Sequence, residues 1–239
     1  MELKISETKQ QTAEAFTDWV IALINNRDVA HIALSGGSTP KIVFDALADR
    51  KLPDTMWSKV HLYWGDERCV PPDDADSNYK MTVDHLLSNI SVPDGNIHRV
   101  KGENEPEEEA RRYARVLSKE LPEHNGIPRF DLVILGMGDD GHTASIFPHE
   151  IGLWDSERLC EVAEHPESGQ KRITITGQVI NNAQKVAFLV TGKGKAEKVG
   201  EIIDGRGEVE QYPASLVNPK SKELYWFLDE AAASLITAR

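Results

Sequence analysis

Cysteine is nearly absent. Cys69 and Cys160 are the only two in 239 residues. They form neither a C-x-x-C pair nor a metal-ligand spacing, which argues against a disulfide framework and for a reduced compartment. Long apolar runs are missing too. Nothing approaches the roughly 20 residues that span a bilayer, and the opening Met1-Glu2-Leu3-Lys4 leads into a polar stretch rather than an apolar signal core. Positive charge is in deficit, with 27 Lys and Arg against 39 Asp and Glu and a formal charge of −12. Such a surface as a whole repels nucleic acid and anionic membranes. A few local cations still suffice to hold a small anion. A cytoplasmic protein with a small-molecule partner, and with no nucleic-acid or membrane partner, is expected. Oligomeric state stays open, with a monomer preferred.

Several catalytic signatures are also missing. There is no G-x-S-x-G elbow and no H-E-x-x-H, and the eight histidines are scattered without ligand spacing. Lysine and arginine do not interleave with aromatics as a nucleic-acid site requires. Covalent serine chemistry and metal chemistry are both disfavoured.

What is present is a recurring order of apolar strand, glycine-containing loop and helix. Residues 7–26 are predicted as an amphipathic helix with Ser6 as N-cap and Ala15, Trp19, Ala22 and Leu23 near one face. Strands are expected at 29–34, 60–64, 131–135, 159–163, 172–176, 185–190 and 224–228. Further helices are expected after Pro40, at 78–88, at 107–120, after Lys195 and at 229–237. Long loops are expected at 92–106 and 164–171. The pattern predicts an α/β fold with a mainly parallel, doubly covered sheet, all 239 residues forming one domain.

In such sheets ligands bind beyond the carboxyl ends of the strands, and four loops fall there. Ser35-Gly36-Gly37-Ser38-Thr39-Pro40 lets backbone approach a ligand and feeds a helix, with Thr39 expected as N-cap and Pro40 as first helical residue. Free N–H groups and a positive dipole end suit phosphate; a well-capped turn is the plainer alternative. Arg68 follows the strand at 60–64. Its guanidinium suits a phosphate, unless it is spent on its neighbours Asp66 and Glu67. The third loop, Gly136-Met137-Gly138-Asp139-Asp140-Gly141-His142, spells G-x-G-x-x-G. Pro148 follows too soon for the long helix of a dinucleotide site, and Asp139 and Asp140 would sit where pyrophosphate belongs. His142 is instead placed as a general base, with Asp140 to orient it. Lys193 and Lys195 open a helix, where the dipole disfavours cations unless an anion joins them.

Taken in order, these segments resemble the 6-phosphogluconolactonase family, within the superfamily of glucosamine-6-phosphate deaminases. The matching runs are 34–40, Trp64-Gly65-Asp66-Glu67-Arg68 with Val70-Pro71 and Ser77-Asn78-Tyr79, 135–148, Arg172-Ile173-Thr174-Ile175-Thr176 and Thr191-Gly192-Lys193-Gly194-Lys195. The resemblance implies a fold of the deaminase and ribose-5-phosphate isomerase type. It implies hydrolysis of 6-phospho-D-glucono-1,5-lactone in the oxidative pentose phosphate pathway, without metal or organic cofactor. It makes His142 the catalytic residue, assisted by Asp140. Arg68 and Lys195 become phosphate ligands, with Lys193 a competing candidate, and the loop residues Gly36, Gly37, Ser38 and Thr39, together with Arg172, are expected to bind the substrate beside them. The deaminases carry a glutamate shortly after this histidine for proton relay. Here His142-Thr143-Ala144-Ser145-Ile146-Phe147-Pro148 has no acid.

Overall fold

The computed structural model describes residues 1–237. In chain order it contains β1 (Glu2–Ser6), α1 (Lys9–Asn25), β2 (Ala30–Leu34), α2 (Ser38–Asp49), α3 (Asp54–Trp57), β3 (Val60–Trp64), β4 (Asp66–Arg68), α4 (Asn78–His85), β5 (Ile97–His98), α5 (Pro106–Glu120), β6 (Glu123–His124), β7 (Ile127–Pro128), β8 (Leu132–Leu135), β9 (Cys160–Glu164), β10 (Lys171–Ile175), α6 (Gly177–Asn182), β11 (Lys185–Val190), α7 (Ala196–Asp204) and β12 (Leu224–Asp229). Seven strands form a central sheet in the order β1-β12-β11-β8-β2-β3-β5. Every neighbouring pair in it is parallel. Strands covered on both faces read as continuous apolar runs, and Leu132–Leu135 is buried throughout. This is the parallel α/β sheet the sequence predicts.

Helix α1 begins two residues later than expected. Ser6 ends β1, and Thr8 is the N-cap: its side chain accepts the Gln11 N–H while the Gln11 side chain accepts the Thr8 N–H, a reciprocal capping box. The buried face centres on Phe16, Val20, Leu23 and Ile24. Phe16 meets Phe227 of β12 edge-on, 4.9 Å between ring centroids. Strand β1 occupies the mixed-charge terminus, for which no strand is predicted. It forms because β12 offers an open parallel edge.

Two other expectations change. Where a helix is expected at 229–237, Asp229 ends β12 and the chain continues in turns; so short a segment does not repay helix nucleation, and the Asp229 carboxylate draws the chain back to accept the Ala232 N–H. The segment after Trp64, expected as a loop, leaves the central sheet at Gly65 and becomes β4. It pairs antiparallel with β10, which pairs with β9 in a separate three-stranded sheet. Arg172 therefore lies directly opposite Arg68.

At the opposite, amino end of the central sheet, His31, His61 and His98 gather around Tyr63. His61 Nδ1 lies 3.2 Å from His98 Nε2, and the Tyr63 and His98 rings stack at 4.4 Å. Burial first, then the neighbouring imidazoles, lowers His98 to about 4, and burial lowers His31 and His61 as well. Below pH 6.5 the unfolded chain takes up protons that these folded imidazoles refuse, so this cluster makes stability fall as pH drops from about 6.5 toward about 4. Because the imidazoles keep some solvent contact, the retained effect is about 1 kcal/mol, or about 2–4 °C in Tm. Thermal melts at pH 7.5 and pH 5 should show a smaller extra loss in His98→Phe than in wild type. Equal losses in both proteins would contradict it.

Candidate active site

The strand order places the site. From β2 the chain moves to β3 and β5 on one side, whereas β8, β11 and β12 lie on the other. The loops leaving β2 and β8 therefore part, and at such a switch point a crevice opens. A cleft of about 250 Å³ lies there, lined by residues of all four loops singled out from the sequence.

His142 and Asp140 come together in the loop after β8. Asp140 Oδ1 lies 2.6 Å from His142 Nδ1 and also accepts the His142 backbone N–H at 3.0 Å. Burial alone would raise the Asp140 carboxyl, but the hydrogen bond and charge of His142 pull it down to about 2. An ionised Asp140 can only accept, so Nδ1 carries the proton and Nε2 is left with its lone pair. Nε2 has no partner among the described residues, and His142 lines the cleft. The close approach depends on Gly138: a Cβ there would stand 2.1 Å from His142 Nδ1 and 2.6 Å from Asp140 Oδ1. The loop opens no helix. Gly138 N–H donates to His142 O, and Gly141 N–H to Gly138 O. Those two donors are spent, whereas the Gly36 and Gly37 N–H groups are without a partner among the described residues.

The opposite wall is cationic. Arg172 is only 9% exposed, yet its guanidinium makes no hydrogen bond or ion pair among the described residues, and Nε is fully enclosed. Its one recorded side-chain contact is the Phe147 ring, 5.4 Å away. Burial, and then Arg68 beside it, holds the Arg172 guanidinium below its ordinary value. Asp66 and Asp76 act on Arg172 from a distance, but neither pairs with it, and two adjacent guanidiniums facing one cleft suit an anion. Arg68 is not spent on its acidic neighbours. Its guanidinium donates to the Asp76 carbonyl at 2.6 Å. Glu67 instead accepts the N–H groups of Arg68, Asn78 and Tyr79 and the Ser77 hydroxyl, pinning Arg68 to the start of α4.

Gly36, Gly37, Ser38 and Thr39 line the same cleft. The N-cap is Gly37 rather than Thr39, with φ 112° and no side-chain cap. That backbone needs glycine, and it leaves the first N–H groups of α2 facing the cleft. Thr39 is free to bond Thr191 instead, at 2.8 Å. Lys195 lines the cleft and Lys193 does not. The Lys195 ammonium pairs with Asp139, a side chain 82% exposed, at 2.5 Å.

Sequence reasoning gave no role to three further lining residues. Asp66 is buried and accepts the Ser145 hydroxyl at 2.6 Å. Asn78 donates to the Asp66 carbonyl at 2.9 Å and packs where a Cβ on Gly36 would fall. Thr191 closes the gap between the loops after β2 and β11. All three stand inside the matched motifs, but only the three-dimensional crossing of loops separates their roles from those of their neighbours.

Residues 4–226 match the family model described as glucosamine-6-phosphate isomerases/6-phosphogluconolactonase. The 6-phosphogluconolactonase of Haemophilus influenzae is 46% identical over 207 residues, covering 86% of this chain and 87% of that protein. That of Aggregatibacter actinomycetemcomitans is 42% identical over 230 residues, covering 96% and 97%. The crystal structure of a protein described as devB superposes with a TM-score of 0.91 at 43% identity, covering 99% of each chain. No described helix is long and apolar enough to cross a membrane. With a family model spanning nearly its whole length and relatives this similar, the chain belongs to the glucosamine-6-phosphate isomerase/6-phosphogluconolactonase family of enzymes.

Proposed function

We propose that this enzyme hydrolyses 6-phospho-D-glucono-1,5-lactone to 6-phospho-D-gluconate, as a cytoplasmic step of the oxidative pentose phosphate pathway, by histidine-assisted attack of water. The observation that carries this is a single cleft holding both an imidazole with a free Nε2 and a buried arginine with no ion-pair partner among the described residues. The lactone is an activated ester, so no covalent nucleophile is needed. Water attacks C1 while Nε2 takes its proton. The tetrahedral oxyanion is held by the unspent Gly36 and Gly37 N–H groups, and the bond from C1 to the ring oxygen breaks as the imidazolium returns the proton to that oxygen. Asp140 keeps the tautomer and offsets the imidazolium charge. Arg68, Arg172, Lys195 and the start of α2 hold the phosphate. Its binding energy, remote from C1, fixes the lactone in place.

The deaminase reaction of the same family is the competing function. The loop beyond His142 supplies hydroxyls rather than a carboxylate: Thr143 donates to the Gly136 carbonyl and Ser145 to Asp66. A substrate panel separates the two. The expected result is turnover of the phospholactone, at least about 10²-fold slower turnover of unphosphorylated gluconolactone, and no ammonia from glucosamine 6-phosphate. Ammonia release, or indifference to the phosphate, would contradict the proposal.

A further inference from the structure

We infer that Asp229, which lies outside the cleft wall, positions the lysine loop that reaches into it. Asp229 ends β12 and is 6% exposed. Its carboxylate accepts the Gly192 N–H through both oxygens, at 2.9 and 3.1 Å, and the Ala232 N–H at 2.8 Å. No cation pairs with it among the described residues, so its charge is committed to backbone donors of its own turn and of the loop after the neighbouring strand β11.

Gly192 is the hinge of that loop. It holds φ 96°, and its carbonyl accepts the Lys195 N–H at 3.1 Å, closing a turn whose far end is Lys195. On its other side Thr191 bonds Thr39 of the phosphate loop after β2. Thr191 thus has its own anchor, so fixing the Gly192 N–H chiefly sets Lys195 at the far end of the turn. Lys195 needs such fixing. It sits at the N-cap of α7, where the helix dipole opposes a cation, and among the described residues its only ion pair is with the exposed Asp139. Asp229 is thus a positioning residue that acts on the anion through Lys195. The assignment rests on the phosphate-binding part of the proposed function and not on the hydrolytic step.

The test is a double-mutant cycle on inorganic phosphate binding, followed by calorimetry, with kcat and KM on the phospholactone measured alongside. Asp229→Ala should weaken phosphate about five- to twentyfold, the scale of one misplaced charge-assisted hydrogen bond. Asp229→Asn, which keeps one acceptor oxygen, should fall between. KM should rise in parallel while kcat stays within about threefold. In a Lys195→Ala background, Asp229→Ala should change phosphate affinity less than about twofold, because the residue through which it acts is gone. Should Asp229→Ala misfold, Asp229→Asn completes the same cycle. Wild-type phosphate affinity in the Asp229 variants would overturn the inference, as would an equal loss with and without Lys195. Phosphate binding that follows this cycle in a protein unable to hydrolyse the lactone would sink the hydrolase proposal and leave this one standing.

Discussion

Replacing His142 by alanine is expected to lower kcat on the phospholactone by about 10²–10⁴-fold, the usual worth of a positioned general base, with KM within about threefold of wild type. The expectation follows from the division of the cleft. His142 bonds Asp140 through Nδ1 and makes no hydrogen bond or ion pair with Arg68 or Arg172 among the described residues, so its loss is expected to remove proton transfer without loosening the phosphate. Asp140→Asn tests the same step differently. The amide can donate to Nδ1 and shift the proton to Nε2, which then cannot accept one from water. A loss of kcat comparable to that of His142→Ala is expected, with binding again preserved. Steady-state kinetics on freshly generated lactone, corrected for spontaneous hydrolysis, read both. A His142→Ala enzyme with wild-type kcat would remove the imidazole from the chemistry.

Arg172→Met is expected to weaken binding and strengthen the fold at once. KM should rise about 10–100-fold, the loss of one or two charge-assisted hydrogen bonds to phosphate. Tm without substrate should rise, because a 9%-exposed guanidinium with no hydrogen bond or ion pair among the described residues gives way to an apolar chain of similar length beside Phe147. Replacing buried charge by well-packed apolar groups stabilises by about 1–2 kcal/mol in comparable settings, or about 2–8 °C here. Arg68→Ala should raise KM strongly without the gain in stability, since Arg68 already bonds the Asp76 carbonyl. The contrast between the two arginines is the informative part. A lower Tm in Arg172→Met would mean that the guanidinium serves packing, and an unchanged KM would move the anion elsewhere.

Much of the cleft was legible in the sequence because its residues follow strands whose apolar runs are unmistakable. Ser35, Arg68, Gly136 and Thr191 all begin or sit in segments just beyond such runs. The parallel order of the strands brings these segments to one end of the sheet. His142 with Asp140 needed only a short loop to meet. What could not be read was non-local. Arg172 stands opposite Arg68 through an antiparallel pairing across more than a hundred residues, and nothing in either segment announces the partner. The N-cap of α2 was misplaced by two residues because Thr39 is an apt cap by type, whereas its hydroxyl is claimed by Thr191 from a distant strand. Strand β1 was missed for a similar reason: five residues of mixed polarity become a strand only beside β12. Lys193 and Lys195 are equivalent by local pattern, and only the turn at Gly192 turns one of them into the cleft.

The central claim is that this cleft opens a phosphorylated sugar lactone by water. The most direct measurement generates 6-phospho-D-glucono-1,5-lactone from glucose 6-phosphate and follows proton release in the presence of the folded wild-type protein. Proton release well above the spontaneous rate, proportional to enzyme concentration and saturating with lactone, is the predicted result. A well-folded protein that leaves the spontaneous rate unchanged would contradict it.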